Sequence, residues 1–200
     1  MHNRKQCDQN GAAPAVKSRP TVTERLNADE LTETEARELT REAALRTLDR
    51  TAKSRAELAA SLARRGYPEF AITPILDRFT AVGLLDDSGY AAALVSSRTK
   101  ERGLAKPLIA AELARRGIAP EIIETAMSQV DAAAEQTTIT RLVQSNLRRT
   151  LGLARQVRVR RAVGALQRKG YEPHQAYTAV LNAIGAESDG TDGAEQYDVA

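Results

Sequence analysis

The chain of 200 residues has one cysteine, no tryptophan, two histidines and only 4% aromatic side chains. A lone Cys7 can close no intrachain disulfide and build no thiolate metal cage. It sits in a polar N-terminal stretch and reads as an incidental thiol. The shortage of histidine excludes most acid–base arrangements. His2 lies in the same stretch, and His174 stands near a helix start with no Cys, Asp or second His beside it. Neither GxGxxG nor GxxxxGK[ST] occurs, so no phosphate-cradling loop is present. No run of about 18 apolar residues exists to cross a membrane. The first twenty residues lack the apolar core of a secretory signal. No enzyme, cofactor or metal is therefore expected, and a reducing cytoplasm is the expected location.

What is present is Leu, Ala and charge. The chain is 42% hydrophobic, so with few aromatics Leu and Ala must do the packing, which favours helices. The formal charge of +3 conceals an uneven distribution. Residues 37–185 hold 24 Lys and Arg against 15 Asp and Glu; residues 132–185 hold nine against two. Residues 1–32, rich in polar residues and without periodicity, read as a disordered tail. Residues 186–200 carry Glu187, Asp189, Asp192, Glu195 and Asp198 with no base, and read as a second, acidic tail. This tail is opposite in sign to the basic segment before it, which makes it a candidate intramolecular competitor for partners of that segment.

One five-residue phrase recurs. LARRG stands at 62–66 and at 113–117, and LQRKG at 166–170. Relative to Gly66, Gly117 and Gly170, a leucine lies four residues upstream (Leu62, Leu113, Leu166). Two cations stand directly before the glycine: Arg64-Arg65, Arg115-Arg116 and Arg168-Lys169. Downstream, Ile72, Leu76 and Phe79, then Ile123, Met127 and Val130, then Ala176, Val180 and Ala183 keep helical spacing. Leu58 with Leu62, and Ile109 with Leu113, form the facing stripe. The glycine ends one helix in a left-handed turn, the cations suit the helix C-terminus, and Pro68, Pro120 or Pro173 opens the next helix.

A longer helix precedes each pair, over 34–51, 88–102 and 132–150. Ser54 and Glu57 form a capping box for the second helix of the first unit, and Asp87 is the expected cap of the helix from 88. Pro74 either kinks its helix or restarts it behind Thr73, the kink being the favoured reading. Three helices recurring three times predict an all-α, elongated tandem array of three-helix repeats. The units fall at 33–86, 87–131 and 132–185, between the two tails.

The segment 83–118, with Asp86-Asp87, Tyr90-Ala91, Arg98, Gly103, Glu112-Leu113 and Arg116-Gly117-Ile118, resembles the RecX family, bacterial regulators of the RecA recombinase. The flanking units fit that family's threefold helical repeat. The resemblance implies a non-enzymatic regulator that binds the RecA–single-stranded DNA filament along its groove. It further implies restraint of RecA's ATP hydrolysis, strand exchange and co-protease activity.

The residues themselves leave alternatives open. The paired cations either complement helix ends or line one side of the array as a track for a polyanion. The candidate partner-binding set is Arg64, Arg65, Arg98, Arg115, Arg116, Arg148, Arg149, Arg155, Arg158, Arg168 and Lys169. Arg155 and Arg158, in the run RQVRVRR over 155–161, share a face if a helix has begun there. A helical repeat protein acting directly on single- or double-stranded DNA is one alternative. Large leucines four residues before each turn glycine speak against a tight DNA-reading helix pair. A helical scaffold without a nucleoprotein target is the other. A monomer is expected.

Overall fold

The computed structural model describes residues 19–192, with side chains through Glu187. Residues 1–18 and 193–200, parts of the two expected tails, lie outside the described residues. The described residues are helical throughout, with no strand. A short helix α1 (Val22–Asn27) is followed by three sets of three. These are α2 (Glu33–Arg50), α3 (Arg55–Arg64) and α4 (Glu69–Ala81); α5 (Asp87–Lys100), α6 (Lys106–Arg115) and α7 (Pro120–Ser128); and α8 (Ala132–Arg148), α9 (Arg155–Gln167) and α10 (Pro173–Asp192). None is long and apolar enough to cross a membrane.

Each set closes over its own small core. Leu58, Leu62, Ile72, Leu76 and Phe79 fill the first, with Ala43 and Ala44 letting α2 approach closely. Ile109, Leu113, Ala91, Val95 and Ala126 fill the second. Ile139, Val143, Leu147, Leu166, Val180 and Ile184 fill the third. Leu58, Leu62, Ile109 and Leu113 are wholly buried, each burial being worth roughly 1.5–3 kcal/mol. The second stripe is shallower than its spacing suggests. Ile123, Met127 and Val130 are half-buried, and Ala126 takes the buried position on α7.

The recurring phrase is a helix stop. Gly66, Gly117 and Gly170 have φ of 78°, 74° and 89°. The glycine amide bonds back to Ala63, Ala114 or Gln167, and the next amide (Tyr67, Ile118, Tyr171) bonds to the carbonyl of Leu62, Leu113 or Leu166. These are the two bonds of a Schellman cap, whose accompanying apolar contact is here Tyr67 with Leu62, Ile118 with Leu113 and Tyr171 with Leu166. The leucine is thus both the core plug and the acceptor that ends the helix.

Two local expectations are revised. Asp86, not Asp87, caps α5: its carboxylate accepts from the Gly89 amide at 2.9 Å. Asp87 instead accepts from the Arg55 amide at 2.8 Å, so it caps α3 of the neighbouring unit. Of the two readings of Pro74, the fresh start behind Thr73 is excluded, because α4 runs unbroken from Glu69 to Ala81 with the proline inside it. The described parts of the two tails are helical. Thr21 and Glu24 form a capping box that opens α1, and α10 continues to Asp192.

A common joint links the units. Each Gly turn seats on the N-terminus of the second helix of the unit before it. The Ser54 hydroxyl donates to the Arg116 carbonyl at 2.5 Å, and a Cβ placed on Gly117 would lie 2.4 Å from the Ala56 Cβ. The Ala105 amide donates to the Lys169 carbonyl at 2.9 Å, and a Cβ on Gly170 would lie 3.0 Å from the Leu108 Cβ. α1 repeats the arrangement at the near end. The Thr23 amide and hydroxyl donate to the Gly66 carbonyl at 2.9 and 2.8 Å, and a Cβ on Gly66 would meet Thr21 at 2.3 Å. Donors at one helix start meet unpaired carbonyls at another helix end, so both sets of terminal groups are satisfied.

Candidate partner-binding surface

The joints bring the starts of α1, α3 and α6 to the C-terminal turns of α3, α6 and α9, with a cation pair at each junction. Since α3 and α6 have ten residues each, the pairs recur at roughly 15 Å, one helix length, plus a turn.

The two cations of a pair have different fates. The one next to the glycine is taken up by the protein. Arg116 donates to Glu57 Oε1 at 3.0 Å, to the Tyr90 hydroxyl at 2.7 Å and to Glu112 Oε1 at 2.9 Å. Lys169 Nζ donates to the Arg102 carbonyl. Arg65 donates to Thr47 Oγ1 at 3.3 Å and lies 5.2 Å from the Tyr67 ring centroid. The other cation, Arg64, Arg115 or Arg168, is exposed and makes no side-chain hydrogen bond or ion pair among the described residues. One free guanidinium therefore stands at every junction.

Arg98 belongs with the inward set. Its Nε and Nη2 grip the two Glu112 oxygens at 2.8 and 2.7 Å, a bidentate pair with side chains only 16% and 17% exposed. With Arg116, Glu57 and Tyr90 this forms one network across the first two units. The Arg98 bonds, aided by Arg116, push the Glu112 carboxyl down to about 2. Burial raises the Tyr90 phenol, and the Glu57 carboxylate adds to the rise.

In the third unit Arg148, Arg149 and Arg155 are exposed and pair with no acid among the described residues. Arg160 and Arg161 join them; both belong to the basic run 155–161, and nothing in the local pattern sets them apart from its other cations. α9 does begin at Arg155, yet Arg158 turns the other way. Its side chain is 14% exposed, with Nη2 at 2.7 Å from Glu187 Oε2 and 3.4 Å from the Leu147 carbonyl. Of the eleven candidates the structure thus leaves six outward (Arg64, Arg115, Arg148, Arg149, Arg155, Arg168), and internal bonds hold five (Arg65, Arg98, Arg116, Arg158, Lys169). No group of three or more His, Cys, Asp or Glu among the described residues is placed to hold a metal, and His174 is exposed.

Two family models match this chain: the first three-helix domain of RecX over residues 41–79 and the second over 86–127. A curated relative from Streptomyces coelicolor, named regulatory protein RecX, is 41% identical over 148 residues, covering 74% of this chain and 79% of its own. One from Mycobacterium avium with the same name is 40% identical over 144 residues, covering 72% and 83%. Among solved structures, RecX from Lactobacillus salivarius superposes with a TM-score of 0.67 at 18% identity, over 76% of this chain and 99% of that one. Two three-helix family models and relatives about 40% identical over most of both chains show the same thing: the chain belongs to the RecX family.

Proposed function

We propose that this protein is a non-enzymatic cytoplasmic regulator that binds the RecA–single-stranded DNA filament and restrains RecA's ATPase, strand exchange and co-protease activity. The family membership supports the class of activity. The observation that carries the binding mode is the division of labour within each cation pair. Arg116 and Lys169 tie their junctions across units and Arg65 bonds within its own unit, while the outer cation of each pair (Arg64, Arg115, Arg168) is left for a partner. Free guanidinium groups recurring at one-helix spacing, continued by Arg148, Arg149 and Arg155, suit a long polymer of repeating negative charge. A scaffold with no polyanionic target would need no such free set.

RecA ATPase on single-stranded DNA, measured with and without this protein across a salt series, tests the reading. Suppression that weakens steeply as salt rises is expected. No suppression at any salt concentration would refute it. Suppression independent of salt would leave the regulation but remove the cationic track.

A further inference from the structure

The phrase Gly-Leu-Ala opens the second helix of two units, at 103–105 and at 152–154. The two turns are built alike. Gly103 and Gly152 have φ of 58° and 82°, and Ala105 and Ala154 are the N-caps of α6 and α9, neither with a side-chain cap bond. Their surroundings differ. The first copy is covered by the Gly170 turn of the third unit. The Ala105 amide donates to the Lys169 carbonyl at 2.9 Å, the Tyr171 hydroxyl donates to the Gly103 carbonyl at 3.3 Å, and Leu104 packs against the second core. The second copy is bare. Leu151 is 67% and Leu153 40% exposed, and nothing lies within 4 Å of where a Gly152 methyl would stand. The Ala154 amide donates to nothing among the described residues. Ala154 lies twelve residues before Leu166, whereas Ala105 lies eight before Leu113. The open start therefore stands about one helical turn further out and keeps nearly the same facing.

The matching half belongs to the first unit. The turn seated on Gly103–Ala105 reads Arg-Lys-Gly-Tyr at 168–171, and the first unit's turn reads Arg-Arg-Gly-Tyr at 64–67. The second unit's turn has Ile118 after its glycine and seats on Ser54 instead. The Arg65 carbonyl, counterpart of the Lys169 carbonyl, accepts no hydrogen bond among the described residues. What covers this turn is α1. Thr23 donates twice to the Gly66 carbonyl, and Thr21 packs against Gly66.

We infer that the Gly152–Ala154 turn is a docking site for a second copy of this chain, which seats its Arg65-Gly66-Tyr67 turn there and repeats the joint between the second and third units. α1 holds that turn shut in the single molecule, so copies join head to tail only when α1 lifts. Such a contact is heterologous and grows without closing. It brings Arg64 and Arg65 of one copy toward Arg155 of the next, so salt screening favours joining. The inference does not depend on the proposed filament binding.

The experiment uses full-length protein carrying Thr23→Pro. Proline in the first turn leaves α1 helical but removes both donors to the Gly66 carbonyl. Mass is read by analytical ultracentrifugation at about 0.3 M salt, over about a hundredfold range of concentration. The parent should stay monomeric, and Thr23→Pro should grow past the dimer as concentration rises. Thr23→Pro with Leu153→Asp should stay monomeric alone, yet form a one-to-one pair with the parent, whose far turn is open. Thr23→Val, which removes only the hydroxyl donor, should associate at higher concentration than Thr23→Pro, and it decides the matter if the proline variant unfolds. Monomers throughout in both Thr23 variants would overturn the inference. So would association that survives Leu153→Asp, a series that stops at the dimer, or a parent that associates as readily as Thr23→Pro.

Discussion

At the scale of single residues, Gly117 and Glu112 carry distinct tasks that substitutions can separate. Gly117 has a positive φ and also presses on Ala56, whereas Gly83 has a similar φ of 74° and open space, with nothing within 4 Å of where a methyl would stand. Gly83→Ala therefore meets only the left-handed strain, about 1–2 kcal/mol. Gly117→Ala adds the steric conflict, a further 1–3 kcal/mol or so. At about 2–4 °C per kcal/mol for a chain of this size, the second variant should melt several degrees below the first. Ala56→Gly should recover part of that loss, read as a coupling energy in a double-mutant cycle. Equal melting temperatures for the two glycine variants would contradict the joint.

Glu112 gives the joint a pH signature. Its folded value is held near 2, below the ordinary 4.5, by Arg98 first and Arg116 second. A carboxyl depressed on folding stabilises the native state above its unfolded value, and the contribution fades as pH falls toward the folded one. The stability gap between the parent and Glu112→Gln should accordingly be full above about pH 4.5 and shrink between there and pH 2. Chemical denaturation at stepped pH checks this; a gap that widened on acidification would mean the carboxylate is not stabilised by its arginines.

At the scale of elements, the helix pairs are legible in the sequence because each is written in periodic residues close together along the chain. Leu62, Leu113 and Leu166 are buried where their spacing places them, and each is also the carbonyl that the Schellman turn uses. Leu113→Ala should cost roughly 2–5 kcal/mol by thermal melting, and an unchanged melting temperature would contradict that burial. What is not legible depends on distant partners. The Asp87 carboxylate looks like a local cap because its acceptor role toward Arg55, 32 residues earlier, leaves no mark in the local pattern. α1 looks like part of a disordered tail because six residues show no period. What orders it is contact with Gly66, 43 residues away from Thr23. The Thr21–Glu24 capping box is its one local signal.

At the scale of the whole molecule, the same limit applies to the cations. Sequence alone makes Arg115 and Arg116 equivalent. The fold makes them opposites, because Glu57 and Tyr90 reach Arg116 from 59 and 26 residues away and no side-chain partner among the described residues reaches Arg115. The array thus bonds one charge per pair internally, across the units for Arg116 and Lys169 and within the first unit for Arg65, and presents the other. Two triple variants separate these uses. Arg64→Gln, Arg115→Gln and Arg168→Gln together should leave the melting temperature within a few degrees, since exposed substitutions usually cost under about 0.5 kcal/mol each. Neutralising Arg65, Arg116 and Lys169 should lower the melting temperature clearly, because Glu57 and Glu112 then lose a largely buried partner.

The most direct test of the account is the affinity of the outer triple variant for RecA–single-stranded DNA filaments as salt is varied. A folded variant with weaker binding and a log–log salt slope reduced by up to about three is the predicted result. Parental affinity with the parental slope would contradict it.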